Sequence, residues 1–201
     1  REPWRMGAAV LHELGRGDEI AQRFQRPAAE LLEQVLERRV NTPLTSSAGR
    51  WFDAVAALLG LREVSAFEGQ AAMLLEGIAS RYGDAAAESN GFELDANGIR
   101  NLLPLLEKLA DESDAGRGAA RFHATFALAL TEWVMQHAEV EGVDCVVLSG
   151  GCFMNHLLSD ALVDRLTRAG CRVYEAGQLP PNDGGISLGQ VWVARQTLAE
   201  M

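Results

Sequence analysis

The sequence predicts a helix-rich α/β fold, and three observations support this prediction. Helical periodicity of apolar residues runs through residues 1–141. Two short β-branched runs, "DCVVL" and "CRVY", come only after that part, and an amphipathic segment separates them. We therefore expect a mainly helical part, residues 1–141, followed by a strand–helix–strand–helix part, residues 142–201.

The helical part is predicted to be a series of amphipathic helices. In the first, Trp4, Ala8, Leu11 and Leu14 share one face, and the glycine at Gly15 helps to end the helix. A second long helix is expected from Pro27, and later helices over residues 50–60, 68–83, 99–110 and 119–138. Between the helices predicted at 68–83 and 99–110, the polar residues 84–98 are interpreted as a surface excursion, with a possible short strand at "GFELD".

The pattern changes at Val143. A strand is predicted in "DCVVLSGG", a helix in "FMNHLLSDALVDRLTRAG" and a second strand in "CRVYEA". The loop "LPPNDGG" then leads to a last helix that starts at Ile186. A strand–helix–strand unit of this kind has parallel strands and a right-handed crossover.

Composition narrows the class of protein. The 201 residues are 48% hydrophobic, which suits one ordinary domain or one large piece of a longer protein, and the start at Arg1 without Met favours a piece. The net charge of −10 argues against generic binding to nucleic acid or anionic membranes. These residues contain no long apolar run and do not open with a signal-peptide pattern, and the odd set of three cysteines has no CxxC pair. We therefore expect a soluble, cytoplasmic protein.

The loop Ser149-Gly150-Gly151 is the first candidate site. It leaves the carboxyl end of a predicted strand and leads into a helix expected to begin near Phe153, with Asn155 in its first turn. Backbone N–H groups at such a helix start bind phosphate, and ligands of open α/β sheets lie beyond the carboxyl ends of strands. The alternative is that the two glycines only serve a tight turn.

Asp183 in the second loop is a candidate metal ligand. It stands between two prolines and two glycines, just before the last helix. A hard divalent cation prefers carboxylate oxygens, so Asp183 could hold a metal that faces phosphates on the first loop. The alternative is that Asp183 caps the helix.

Other polar residues give weaker signals. Asp53 lies in an apolar helix, so it either faces solvent or has a defined contact such as ribose hydroxyls. Cys152 stands at a predicted helix start, where a thiolate is favoured, but no His and Asp partners for a nucleophile are evident. No paired metal-ligand spacing connects the histidines His12, His123, His137 and His156.

Several blocks of the chain resemble, in the same order, the C-terminal part of the HypF family of carbamoyltransferases: "REPWRM", "NTPLTSSAGRWFDAVAALLGL", "FEGQAAMLLE", "ARFH", "VVLSGGCFMNHLL" and "LPPNDGGISLGQ". The resemblance extends more distantly to the TsaD family, which makes threonylcarbamoyl-adenosine in tRNA. It implies that residues 1–201 form the C-terminal lobe of a TsaD-like module with the actin-like, sugar-kinase-like ATPase fold, and with few strands in this lobe.

The resemblance also implies roles for individual residues. The nucleotide phosphates would lie against Ser149, Gly150, Gly151 and Asn155, and Asp183 would be a ligand of the active-site metal. The segment "GRWFD" is similar to one that contacts the ribose in TsaD, which makes Gly49 and Asp53 candidates, and the block with Glu68 and Gly69 is expected near the nucleotide. No catalytic residue is assigned.

In the HypF family the remaining parts of the site lie upstream. The resemblance implies that paired metal histidines, a further metal Asp, the first strands of this lobe and the domains that make carbamoyl-adenylate all precede Arg1. The metal (iron, zinc or magnesium) would be shared with those residues, so the chain alone is expected to be inactive.

The resemblance implies a reaction as well. The complete protein would use carbamoyl phosphate and ATP, through carbamoyl-adenylate, to carbamoylate the C-terminal cysteine of its partner HypE during nickel–iron hydrogenase maturation. Two alternatives remain open: an O-carbamoyltransferase or tRNA-modifying relative of the same fold, and a non-catalytic lobe that docks a partner protein.

Overall fold

The computed structural model describes residues 2–94 and 100–199. The chain forms two compact units, Arg1–Trp133 and Val134–Met201. Within the described residues, no helix combines the length and the apolar character needed to cross a membrane.

The first unit is built almost entirely of helices. Its elements, in chain order, are α1 (Pro3–Glu13), α2 (Glu19–Phe24), α3 (Ala29–Glu37), α4 (Ala48–Leu58), α5 (Gln70–Tyr82), the antiparallel strands β1 (Glu93–Leu94) and β2 (Arg100–Asn101), α6 (Leu103–Ala110) and the long α7 (Ala115–Glu141), which continues past the end of this unit. The strand predicted in "GFELD" is confirmed at β1.

Helices α1 and α4 pack closely in the core of the first unit. The predicted face of α1 is buried at Trp4, Ala8 and Leu11. A Cβ added at Gly7 would come within 2.8 Å of the Phe24 ring and 3.1 Å of the Ala57 Cβ, so only glycine lets the helices approach this closely.

An aromatic cluster joins α4 to α7. The rings of Phe52 and Phe122 meet edge to face with centroids 5.1 Å apart, and Phe126 stacks on Phe122 at 5.5 Å. Such pairs add to the hydrophobic contribution of the buried rings. The cluster places the α4 residue Phe52, which precedes Asp53, firmly in the core.

Four helices differ from the sequence prediction. The helix predicted over residues 99–110 begins at Leu103, because Pro104 belongs in a first turn; residues 95–99 lie outside the described part. Helix α7 begins at Ala115 rather than 119, because Asp114 Oδ1 accepts hydrogen bonds from the N–H groups of Gly116 and Arg117. Helix α2 was not predicted, and the predicted apolar face of α3 is only partly covered, with Leu31 62% exposed.

The second unit contains the predicted strand–helix–strand–helix sequence. Strand β3 (Cys145–Val147) pairs in parallel with β4 (Arg172–Tyr174), which confirms the predicted orientation. Helix α8 (His156–Arg168) joins the strands and buries Leu158, Leu162 and Leu166. Helix α9 (Ile186–Ala199) follows β4 after a loop.

Candidate functional site

The two candidate loops of the second unit leave the same edge of the β3–β4 sheet. Because the strands are parallel, the segment after Val147 and the segment after Tyr174 both lie at the carboxyl ends of their strands. A small cleft of about 160 Å³ lies there, lined by Leu148, Phe153, Met154, His156, Ser159, Asp160, Glu175, Ala176 and Pro181.

A hydrogen bond joins the two loops directly. The N–H group of Gly150 donates to the carbonyl oxygen of Pro181 at 2.7 Å. A Cβ added at Gly151 would lie 3.9 Å from the Cβ of Asn182. The glycine loop therefore lies beside the turn that carries Asp183, as the predicted strand order required.

Gly150 is held in a conformation that favours glycine. Its φ of +118° lies in a region that other residues rarely adopt. A Cβ added there would meet no atom within 4 Å, so the backbone conformation, rather than crowding, requires the glycine.

A 3-10 turn, Gly151–Met154, follows the loop, where the sequence predicted the start of an α-helix near Phe153. The first N–H groups of the turn, those of Gly151 and Cys152, have no acceptor within it. Helix α8 itself starts at His156. The donors that a phosphate would meet are therefore those of the short turn.

Asn155 is the N-cap of α8 rather than a residue of its first turn. Its Oδ1 accepts a hydrogen bond of 3.0 Å from the N–H of Leu158, and the residue is only 6% exposed. This contact occupies the side-chain oxygen. A contact between Asn155 and a nucleotide stays a prediction.

Asp183 lies in a second 3-10 turn, Asp183–Gly185, and is exposed. The cap of this turn is Asn182, whose Oδ1 accepts from the N–H of Gly184 at 3.0 Å. Within the described residues, the Asp183 carboxylate has no ion pair or side-chain hydrogen bond. The capping alternative is therefore wrong for Asp183, and both of its oxygens are accessible to a ligand.

The chemistry of Asp183 fits one ligand of a divalent cation, but not a whole metal site. Among residues 2–94 and 100–199, no group of three or more His, Cys, Asp or Glu side chains is arranged to hold a metal ion. A hard cation at Asp183 would need further oxygen or nitrogen ligands from outside these residues.

Cys152 does not have the environment of an activated thiolate. It is half-buried in the 3-10 turn, and this burial raises the pKa of its thiol. The shift is opposite to the one expected at the start of a helix. The structure therefore gives no support to Cys152 as a nucleophile.

The remaining candidates lie in the first unit. Gly49 and Asp53 belong to the first turns of α4, and Asp53 Oδ2 accepts a 3.2 Å hydrogen bond from Arg50 Nη1. Asp53 is thus a half-exposed member of a local ion pair. Glu68 and Gly69 are exposed just before α5, with Gly69 as its N-cap at a φ of +79°. Roles of these four residues in nucleotide binding stay predictions.

Sequence reasoning missed one contact that shapes the cleft. Ser159, which is 5% exposed, donates from Oγ to Glu175 Oε1 at 2.8 Å. A sequence feature could have predicted this contact: a serine stands among the inward-facing leucines of α8, such as Leu158 and Leu162. A buried hydroxyl in such a position needs a hydrogen-bond partner.

Comparisons with known proteins agree with this architecture. Residues 1–190 match the family described as "Carbamoyltransferase, Kae1-like Domain, second subdomain". The chain is 50% identical to Carbamoyltransferase HypF2 of Cupriavidus necator, covering 98% of this chain and 28% of that protein. It is 43% identical to a Carbamoyltransferase HypF homolog of the same organism, covering 100% of this chain and 55% of that protein.

A solved structure has the same fold. "Crystal structure of full-length HypF in the phosphate- and nucleotide-bound form" superposes with a TM-score of 0.80 at 30% identity, and covers 98% of this chain and 27% of that one. The chain thus spans between about a quarter and just over half of the length of these relatives. HypF proteins carry this region in a Kae1-like domain, whose fold is of the actin-like, sugar-kinase-like ATPase type. The chain belongs to the family of second subdomains of the Kae1-like carbamoyltransferase domain.

Proposed function

We propose that this chain is the nucleotide-phosphate and metal-binding part of a cytoplasmic carbamoyltransferase. The complete protein uses carbamoyl phosphate and ATP, through carbamoyl-adenylate, to carbamoylate the C-terminal cysteine of HypE during nickel–iron hydrogenase maturation. The other HypF domains supply the carbamoyl-adenylate and the remaining metal ligands.

The hydrogen bond between Gly150 and Pro181 is the observation that carries this proposal. It brings a loop whose following turn begins with N–H groups that have no acceptor within the turn next to a second turn with an exposed carboxylate. Phosphate needs donors, and a cation that neutralises phosphate needs oxygen ligands. These two requirements meet at one edge of the β3–β4 sheet.

The chain's residues would position the adenylate in this way. The N–H groups of Gly151 and Cys152 donate to phosphate oxygens, while the φ of Gly150 sets the direction of the turn. Asp183 holds one coordination position of the cation. When bound, the cation supplies positive charge that stabilises the phosphate leaving group.

Binding of the nucleoside is assigned to the first unit. Gly49 and Asp53 of α4, with Glu68 and Gly69 before α5, are the proposed contacts of the ribose and nucleotide. A carboxylate such as Asp53 can accept hydrogen bonds from ribose hydroxyls. No residue of the chain is assigned as general base, because a thiol acceptor, with an ordinary pKa of about 8.5, ionises more readily than a hydroxyl.

A solved relative supports the assignment, since it is described as phosphate- and nucleotide-bound and shares the fold of this chain. The decisive experiment incubates the complete protein with ATP, labelled carbamoyl phosphate and one of three acceptors. The acceptors are a HypE C-terminal peptide, tRNA and a small hydroxylated compound, and the label on each is measured. We expect label on the peptide cysteine only.

The control is a HypE peptide in which the C-terminal cysteine is replaced by alanine. Label on tRNA or on the hydroxylated compound would show instead that the protein is a relative with a different acceptor. Tight binding of HypE with no label on any acceptor and no bound nucleotide would show a docking lobe.

A further inference from the structure

Helix α4 carries two charged residues, Arg50 and Asp53, in an otherwise apolar sequence. Most of the helix is closely packed: residues 54–58 are all buried, and Phe52 lies in the aromatic cluster with α7. The charged pair lies in the first turns, where the Arg50 side chain is 51% exposed and that of Asp53 is 24% exposed. The pair therefore does not belong to a general polar face of the helix.

Arg50 stands at a position where a helix disfavours a cation. It is the third residue of α4, and the helix dipole places partial positive charge at this end. Its ion pair with Asp53 also has the weaker order, because such a pair stabilises a helix more when the acid comes first. Helix stability thus gives no reason for an arginine here, and residues that break a local rule in this way are commonly functional.

The contact between the two side chains is single and long. Arg50 Nη1 donates to Asp53 Oδ2 at 3.2 Å, and in the described part of the chain this is the one hydrogen bond of either charged group. By contrast, the Arg117 guanidinium contacts both carboxylate oxygens of Glu112, at 2.9 and 2.7 Å. A single contact with an exposed arginine contributes little to stability, so a ligand can open it at small cost.

We propose that Arg50 is a nucleotide-binding residue that exchanges partners with Asp53. In the free protein each of these side chains neutralises the other. When the nucleotide binds, the ribose hydroxyls donate to the Asp53 carboxylate, and the released Arg50 guanidinium donates to phosphate oxygens of the same nucleotide. The inference rests on the proposed contact between Asp53 and the ribose, and adds a residue that recognises the charge of the ligand.

The chemistry of the guanidinium suits this role. It is planar, keeps its charge at neutral pH and can donate two parallel hydrogen bonds to a phosphate. Positions 50 and 53 are separated by a rise of about 4.5 Å along the helix axis, so neighbouring groups of one ligand can meet both side chains. Adenosine, which has the ribose but no phosphate, would meet Asp53 alone. Arg50 should therefore make the site prefer nucleotides to nucleosides.

The test measures the affinity of the complete protein for ATP, AMP and adenosine by calorimetric titration. The Asp53→Asn variant should bind all three less tightly, and the binding event that it weakens identifies the site to be compared. At this site, Arg50→Gln should lower the affinity for ATP and AMP at least about 10-fold, because charge-assisted hydrogen bonds are lost. Its affinity for adenosine should not fall. Arg50→Lys keeps the charge without the planar fork and should recover only part of the loss.

The Arg5→Gln variant is the matched control. Arg5 makes an ion pair of the same spacing with Glu2, and its side chain is 47% exposed, close to the value for Arg50. Its replacement should leave the affinity for all three ligands unchanged. In both glutamine variants the midpoint of urea unfolding should stay close to the parent value, because exposed ion pairs contribute little to stability.

Two results would overturn the role of Arg50 alone. One is the same affinity for ATP in Arg50→Gln as in the parent protein. The other is an equal loss of affinity for ATP and adenosine, which would show that Arg50 only maintains the shape of the site. Failure of the proposed function has a different signature: Asp53→Asn would weaken no binding event, and that result would overturn both proposals.

Discussion

The side-chain oxygen of Asn155 accepts a hydrogen bond from the backbone N–H of Leu158, three residues later. This contact fixes the start of α8 immediately after the 3-10 turn that follows the glycine loop. The geometry of the turn proposed to contact the phosphates thus depends on the buried cap residue that follows it.

Loss of this cap should destabilise the second unit. We expect Asn155→Ala to lower the free energy of unfolding by about 1 kcal/mol, because the Leu158 N–H loses its acceptor. Urea denaturation monitored by circular dichroism measures the change. Asn155→Ser keeps a capping oxygen and should recover most of the loss. Equal stability of the alanine variant and the parent chain would contradict the capping role.

The second prediction rests on the positive φ of Gly150. Gly150→Ala forces a side chain into a backbone region that costs about 1–3 kcal/mol, so the loop should distort and nucleotide affinity of the complete protein should fall. Calorimetric titration with ATP measures the affinity. Gly177→Ala is the matched control, because an added Cβ there also meets no atom within 4 Å and its φ is not positive. The prediction fails when both variants bind ATP as the parent does.

The Asp183→Asn variant should lose metal-dependent activity and keep its stability. The carboxylate has no contact to lose in the described part of the chain, so the free energy of unfolding should stay within about 0.5 kcal/mol of the parent value. Metal-dependent carbamoyl transfer by the complete protein should fall at least about 10-fold. Asp160→Asn changes an exposed carboxylate that lines the nearby cleft and serves as control. Equal losses in the two variants would argue against a metal at Asp183.

The first unit should lose stability in acid through Arg16. Its guanidinium donates to Asp111 Oδ1 at 2.7 Å and also to Glu19, and these hydrogen bonds lower the pKa of both carboxyl groups. A lowered pKa in the folded state means that the stabilisation is complete above the ordinary carboxyl pKa and is lost as the pH falls through the folded value. The loss should therefore begin below about pH 4.

Thermal unfolding at pH 7 and pH 3 tests this expectation. The Arg16→Gln variant should show a smaller drop in Tm between the two pH values than the parent chain does. The effect should be small, since Asp111 is 65% exposed and water screens the pair. An unchanged pH dependence in the variant would contradict the assignment.

Alkylation should distinguish the three cysteines. Burial raises the pKa of the Cys152 thiol, so less of it is thiolate at neutral pH, whereas Cys145 is exposed on β3. Iodoacetamide at pH 7.5 should modify Cys145 first, Cys152 more slowly and the buried Cys171 least, as measured by mass spectrometry. Fastest reaction at Cys152 would revive its role as a nucleophile.

Much of the secondary structure could be predicted because glycine and proline mark where helices end and begin. Gly60 and Gly83 end helices where the sequence predicted, each at a positive φ. Local hydrogen bonds were harder to predict. Asp114 extends α7 beyond its glycines, and nothing in the order of residues shows that its oxygen will cap this helix.

The candidate site was predictable to the extent that strand order determines it. Parallel pairing of β3 and β4 places both loops at one edge of the sheet. The proximity of Gly150 and Asp183 could therefore be predicted from the two short apolar runs that form these strands. The choice of Asn182 over Asp183 as a cap did not follow, because adjacent Asn and Asp offer similar oxygens. The Ser159–Glu175 contact requires the folded arrangement of α8 and β4.

Among the described residues, strand β3 pairs only with β4, so its second edge is open. An unpaired apolar strand edge is a template for association with other chains. We therefore expect the 201-residue chain, made alone, to precipitate more readily than its free energy of unfolding suggests.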